Sequence, residues 1–404
     1  MLVKILAAIV IPPHLGVSGA VNAGVGLSRA LAEFCSVDIA LMADSDSVEQ
    51  VGQARLLRRR AHNPLSFTRT FLPDRVRTLL YRSTIPDLVA KGGYDLVHIH
   101  NPIPTLEMRR IAAACVDRGV PYVVSTHGFV EVTSGGQAFA VKPYELLAWR
   151  LLVEQPLRFV VANATMMFAT SPADVAILQG MHVPEQKIAL VTNGVDPFFC
   201  EPPSDAEIAA VCKRFSLPTV KNESTPVCFF LGNHTNNKGL SVLVEAFAQT
   251  DRPYLLIVGG KQRPAIPYAT YTARCRPGQR MIFTDSLSNA EARALFNYAD
   301  LFVFPSLADT LPLVVLEAMA SGLPVLSTTV GGIPFQVDTT CGCLVPPGDP
   351  VALRVAFETM TANPALLHKM GEAAIRRVRE KFDWRQSANV AFRNYQAMIV
   401  AGQR

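Results

Sequence analysis

No segment of this 404-residue chain approaches the roughly 20 consecutive apolar residues that a membrane-spanning helix requires. The apolar run over residues 5–11 has only a strand's length and stops at Pro12-Pro13. A secretory leader needs a longer apolar core and a small-residue cleavage site, so none is expected. Charge of one sign is also scarce. The 38 basic and 33 acidic residues leave a net +5, too mild for the concentrated basic face that binds nucleic acid. Eight cysteines lie scattered, and the closest pair, Cys341-Gly-Cys343, lacks a zinc spacing. Buried reduced thiols in a cytoplasmic protein are the expectation. The G-x-G-x-x-G fingerprint is missing, which argues against a nicotinamide-dependent oxidoreductase. Internal repeats and low-complexity tracts are absent as well.

What the chain has is apolar surface. Hydrophobic residues make up 50% and charged residues 18%, which excludes disorder, and the length is about two to three times the common domain size. Short apolar runs alternate with stretches of helical period, the pattern of parallel α/β sheets. Strands are predicted over 3–11, 37–42, 96–99, 122–125 and 165–169, with helices over 25–34, 106–118 and 144–163. A Pro-rich, polar break spans residues 196–226. The alternation then restarts with strands over 227–231, 254–258, 281–283, 301–304 and 324–327, and helices over 240–248, 290–298, 313–321, 351–362 and 363–381. This predicts two doubly wound parallel-sheet (Rossmann-like) domains, 1–197 and 198–382, facing a cleft. A last helix over 383–404 is expected to cross back to the first domain. Ligands of such folds sit at the carboxyl ends of the strands.

Three strand-to-helix turns carry residues able to do chemistry. The first, Pro12 to Gly19, brings glycine to a helix start, where backbone amides attract anions; taken alone, a plain tight strand-to-helix turn is the favoured reading. The second, Leu231-Gly232-Asn233-His234-Thr235-Asn236-Asn237-Lys238-Gly239, offers a lysine to a phosphate, or simply caps a solvated loop. The third runs from Phe304 through Asp309 and Glu317 to Val325. An ionised Glu317 on an otherwise apolar helix costs several kcal/mol unless it accepts hydrogen bonds, so a polyhydroxyl ligand is a natural partner.

This third segment resembles the signature of the retaining family 4 glycosyltransferases of the GT-B fold: an acid, seven residues and Glu, then Ala-Met-Ala and Gly-x-Pro-Val. The likeness covers nearly the whole chain. Asp95-Leu-Val-His98-Ile-His100, Ser125-Thr126-His127-Gly128, Asn193-Gly194-Val195-Asp196, Lys238-Gly239, Val330-Gly-Gly-Ile-Pro334, Pro347-Gly348-Asp349 and Phe382-Asp-Trp384 follow in the family's order. Departures are Asp309 where Glu is usual, Asn233 for an Arg, Ser18 and Pro312 for glycines, and Phe335 for Glu.

The resemblance implies transfer of a sugar from a nucleotide diphosphate donor, UDP- or GDP-linked, to a hydroxyl of a glycan or lipid-linked acceptor in polysaccharide or glycolipid synthesis. It implies no cofactor and no metal. Glu317 would hold the ribose and Asp309 the donor sugar. Lys238, the Gly19 and Gly232–Asn233 turns, and amides near Thr310, Leu311 and Leu313 would cradle the diphosphate. Ser286 and Leu287 would meet the base, His127 would lie near the anomeric carbon, and His100 would face the acceptor side. The alternatives are a silent sugar-nucleotide-binding subunit, motivated by the departures, and a nucleotide-sugar epimerase. Residues 55–82 carry eight arginines, Arg58, Arg59 and Arg60 among them, interleaved with leucine and aromatic residues. This stretch reads as a peripheral contact with an anionic membrane, or as a cationic rim for the acceptor.

Overall fold

A computed structural model describes residues 3–16, 18–64, 74–101, 103–129, 146–222 and 224–402. The chain forms two compact units, Met1–Gly194 with Trp384–Arg404, and Val195–Asp383. Between the predicted and observed first boundaries lies a three-residue difference, set by Val195, whose N–H bonds Phe382 O at 3.0 Å inside the second unit.

The first unit is built on β1 (Lys4–Ile9), β2 (Ser36–Ala43), β3 (Ser47–Val51), β4 (Ala54–His62), β5 (Arg82–Ser83), β6 (Leu96–His100), β7 (Tyr122–Ser125), β8 (Met166–Ala169) and β9 (Ile188–Leu190). Their order is β3-β4-β2-β1-β6-β7-β8-β9, with β5 beside β4. All pairs are parallel except β3–β4 and β4–β5. Every residue of β1 after Lys4 is buried, as a strand covered on both faces requires. Helices Gly19–Leu31 and Trp384–Gly402 pack on each other, and Ala388, Ala391 and Tyr395 join the core of this sheet.

The second unit holds β10 (Val227–Leu231), β11 (Tyr254–Gly259), β12 (Gln279–Phe283), β13 (Leu301–Phe304), β14 (Val325–Thr328) and β15 (Gly342–Val345). The order is β12-β11-β10-β13-β14-β15, parallel throughout. Its core is aromatic: Phe229, Phe230, Phe247, Phe296, Phe302 and Phe304 are fully buried. Truncating any one to Ala would cost about 3–5 kcal/mol. In each sheet the chain reverses its direction of growth at the first strand, between β1 and β6 and between β10 and β13. Such switch points leave a crevice at the carboxyl ends of the strands.

Several elements differ from the sequence pattern. The first helix begins at Gly19 and not at residue 25, because Ser18 caps it by accepting the Val21 N–H. Residues 54–62 form a strand, and β3 turns back onto it at Gly52, whose φ is +61°. Arg55, Arg58, Arg59 and Arg60 lie on this strand, one in from the edge strand β3. Helix Pro172–Gly180 and edge strand β15 are too short, and too uniformly apolar, to announce themselves by periodicity.

Candidate functional site

In the second unit the polar residues gather where β10, β13 and β14 end. After β10 the chain runs through Gly232 and the exposed Asn233 into a short turn, Asn236–Lys238. Gly239 follows at φ +71°, and a Cβ there would lie 1.8 Å from Pro305 O, so only glycine fits. This close approach lays Lys238 beside the loop after β13. Its ammonium donates to both carboxylate oxygens of Asp309, at 2.7 and 2.8 Å. Ser306, fully buried, donates its hydroxyl to Asp309 Oδ2 at 2.6 Å. Behind Asp309, a Cβ on Gly331 would fall 1.7 Å from the Asp309 carbonyl, so the Gly331-Gly332 turn presses against this loop. Gly332 N donates to Thr310 O at 2.6 Å. Thr310 and Leu311 are buried and Leu313 half-buried at the start of helix Leu313–Ala320. Pro312 occupies the cap and offers its carbonyl to Gln336 Nε2 at 2.9 Å.

Glu317 sits at the fifth position of that helix, half-buried. No described residue gives its carboxylate a hydrogen bond or an ion pair. Burial, and then the charge of Asp196, raise its pKa to about 7. Asp196 itself caps the turn Pro197–Cys200 through the Phe198 N–H. A carboxylate left without donors in a partly dry position gains most from a ligand that brings hydroxyl groups. At the end of β11, Gly260 closes against Gly232 O, and His234 is buried with Nδ1 on the Tyr268 hydroxyl at 2.7 Å. Leu287 lies half-buried against Gly259, while Ser286 is exposed and donates its N–H to Asp285 at 2.8 Å.

The first unit gathers imidazoles instead. His98 and His100 alternate on one face of β6, with ring centroids 3.9 Å apart, and His127 stacks on His100 at 5.6 Å. All three are buried. His98 is held at both nitrogens, by the Tyr395 hydroxyl at 2.7 Å and Ser125 Oγ at 2.8 Å. Burial, reinforced by the charge of His127, lowers His98 to about 3; burial alone lowers His127 to about 4. Burial first, then His98 and His127, hold His100 well below the ordinary histidine range. These rings are therefore neutral at physiological pH. Both nitrogens of His100, Nε2 of His127 and both amide atoms of Asn101 find no hydrogen-bond partner among the described residues. Asn101 adopts φ +71°, in the left-handed region.

Lys238, Asp309, Thr310, Leu311, Leu313 and Glu317 thus share one end of the second sheet. His100 and His127 share one end of the first, where the exposed Gly19 opens its helix. The arginines stand apart. Arg55 forks onto the buried Asp38 at 2.7 and 2.6 Å, Arg58 pairs with Glu49 at 2.9 Å, and Arg59 lies 3.4 Å from Asp46. Arg60 is exposed. Residues 65–73 of the basic stretch lie outside the described residues. The chain's one Asp-x-Asp, Asp44-Ser45-Asp46, precedes β3, and Asp46 accepts the Arg60 N–H at 3.0 Å. Among the described residues no group of three or more His, Cys, Asp or Glu could hold a metal ion. No described helix is long and apolar enough to cross a membrane.

Sequence reasoning passed over Ser306 and Asn101, and named His98 and Asp196 only as members of motifs, with no role for either. The His-x-His spacing in β6 is the signal that could have found His98, since period two puts both rings on one face.

Residues 17–198 match the family model described as Glycosyltransferase Family 4, and residues 225–363 match that of Glycosyl transferases group 1. The D-inositol 3-phosphate glycosyltransferase of Streptomyces avermitilis is 29% identical over 329 residues, 78% of this chain and 67% of that protein. Among solved structures, sucrose-phosphate synthase from Thermosynechococcus elongatus superposes with a TM-score of 0.75 at 22% identity, over 98% of this chain and 100% of that one. Anabaena HepE, solved in complex with UDP, gives 0.71 at 15% identity, over 98% and 100%. The shared fold is GT-B.

Proposed function

This chain belongs to the family 4 glycosyltransferases, and on that premise we propose that it moves a sugar, with retention of anomeric configuration, from a nucleoside diphosphate donor to a hydroxyl of a glycan or lipid-linked acceptor. The observation that carries the reading is Glu317. A half-buried carboxylate with no donor among the described residues, in the first turns of the helix that follows the Asp309 loop, fits a ribose diol whose diphosphate reaches the lysine.

In this reading Lys238 and the amides of residues 310, 311 and 313 take up the charge that grows on the diphosphate as the glycosidic bond breaks. Pro312 contributes no N–H to that cradle. Gly19 and the Gly232–Asn233 turn approach the phosphates, while Ser286 and Leu287 meet the base. His127, kept neutral by burial, contacts the sugar near its anomeric carbon, and His100 lies on the acceptor side. The leaving diphosphate accepts the acceptor's hydroxyl proton, so no protein nucleophile is required. The reaction is proposed to need no divalent cation, and activity in excess chelator checks this. The exposed Arg60, with Arg58 and Arg59, provides a cationic rim for an anionic acceptor or membrane surface.

Thermal shifts with UDP-, GDP-, ADP- and TDP-sugars test the donor assignment. A ligand at one hundred times its dissociation constant stabilises the fold by about 2.7 kcal/mol. Glu317→Ala is expected to weaken nucleotide binding about tenfold, the value of a charge-assisted hydrogen bond. Equal affinity for wild type and variant would remove the assignment.

A further inference from the structure

The Lys238–Asp309 contact has a cost for any anion that needs the lysine. An ammonium carries three donors, and two of them already point at one carboxylate, at 2.7 and 2.8 Å. A phosphate approaching Lys238 therefore meets a neutralised charge, with a carboxylate beside it.

The two partners differ in freedom. Asp309 is short, takes the Ser306 hydroxyl at 2.6 Å, and has its backbone carbonyl pressed by the Gly331 turn. Lys238 sits on a flexible four-carbon stem that leads out of a surface turn, over the face of Phe304 with Nζ 5.8 Å from the ring centroid. When the pair breaks, the lysine moves and the aspartate stays.

We infer that Asp309 is the resident counter-ion of the phosphate-binding lysine: the donor's diphosphate must take Lys238 from it, and only then is the Asp309 carboxylate released to accept hydrogen bonds from the sugar. This rests on the proposed nucleotide-sugar function and adds an order of engagement within it, phosphate before sugar. Asp in place of the longer Glu keeps the carboxylate close to the Ser306 hydroxyl and the lysine. The consequence is a paradoxical variant: removing an acid from the donor site should improve binding of the bare nucleotide.

Isothermal titration of the full chain with UDP and with GDP tests this, using wild type, Asp309→Asn, Lys238→Gln and the double variant. Asp309→Asn should bind the diphosphate that wild type binds at least about fivefold tighter, as expected for losing one nearby like charge. In the Lys238→Gln background the same substitution should change affinity less than about twofold. Unchanged or weaker binding by Asp309→Asn overturns the inference, and so does an equal gain in both backgrounds. In those cases the nucleotide-binding function still stands, because wild type binds. Failure of UDP and GDP to bind wild type and every variant removes both.

A crystal structure of the wild-type chain with the bound diphosphate gives an answer independent of any variant's folding. Lys238 Nζ should lie beyond about 4 Å from the Asp309 carboxylate and within hydrogen-bond reach of a phosphate oxygen. Retention of the ion pair in that complex overturns the inference.

Discussion

The two units repeat one backbone plan and fill it with opposite chemistry. Both are sheets of mainly parallel strands that reverse at their first strand, and both collect polar side chains where the strands end. In the first unit those side chains are His98, His100 and His127, dry and neutral. In the second they are Lys238, Asp309 and Glu317, two paired ions and one acid kept partly protonated near neutral pH. The sheet supplies a crevice and rigid strand ends; burial decides which protonation state a residue can hold there. A fully enclosed imidazole sheds its proton, whereas an acid in a partly open position waits for donors.

Acidification should break the comparison most sharply. The three histidines have folded pKa values below their unfolded ones, so their contribution is complete above the ordinary histidine range and is lost as pH falls below it. Each contributes at most about 1.4 kcal/mol per pH unit. Hydrogen exchange read by peptide mass, corrected for intrinsic rates, should show the first unit losing protection between about pH 6.5 and 5 while β10, β11 and β13 keep theirs. Simultaneous loss in both units would refute the histidine account.

Next in size is His127→Ala, expected to lower kcat about a hundredfold with donor KM changed less than about threefold. A change confined to KM would move His127 from the reacting centre to ground-state binding. Glu317 has the opposite linkage to the histidines. Its folded pKa is raised to about 7, so its stabilising contribution is full below the ordinary Glu range and lost as pH climbs to about 7. Glu317→Gln should remove a slope of at most about 1.4 kcal/mol per pH unit from apo-protein melts between pH 5 and 7. Saturating nucleotide should flatten the same slope in wild type.

The smallest effect belongs to the edge of the first sheet. Arg58→Ala loses an exposed pair with Glu49, so stability should fall by less than about 1 kcal/mol in denaturant titrations. Co-sedimentation with anionic against neutral vesicles reads its other assignment, and equal pelleting would remove the membrane contact.

Much of this was legible beforehand because the signals are local. Apolar runs set β1, β10 and β13, and the ordered motifs around Asp309 and Glu317 announced the family. What escaped depended on distant neighbours. The arginines from residue 55 looked like one amphipathic surface. Arg55, Arg58, Arg59 and Arg60 instead lie on β4, which pairs with β2 and β3, and Arg55 is taken in a two-pronged bond by Asp38, 17 residues earlier on β2. Ser306 is an ordinary loop serine until Asp309 folds back onto its hydroxyl. Asp196, noted only as the end of a tetrapeptide, proves to add its charge to the burial that keeps Glu317 from ionising freely.

Alone, the order of residues determined the kind of fold, the family and the residue types at each strand end, since these follow from periodicity and from motifs read along the chain. Tertiary structure decided what those residues are before a ligand arrives: the lysine paired, the glutamate without donors, the histidines neutral. Protonation and pairing depend on solvent exclusion and on charges within a few ångströms in space, and folding brings Lys238 and Asp309, 71 positions apart in the chain, to within 2.7 Å of each other.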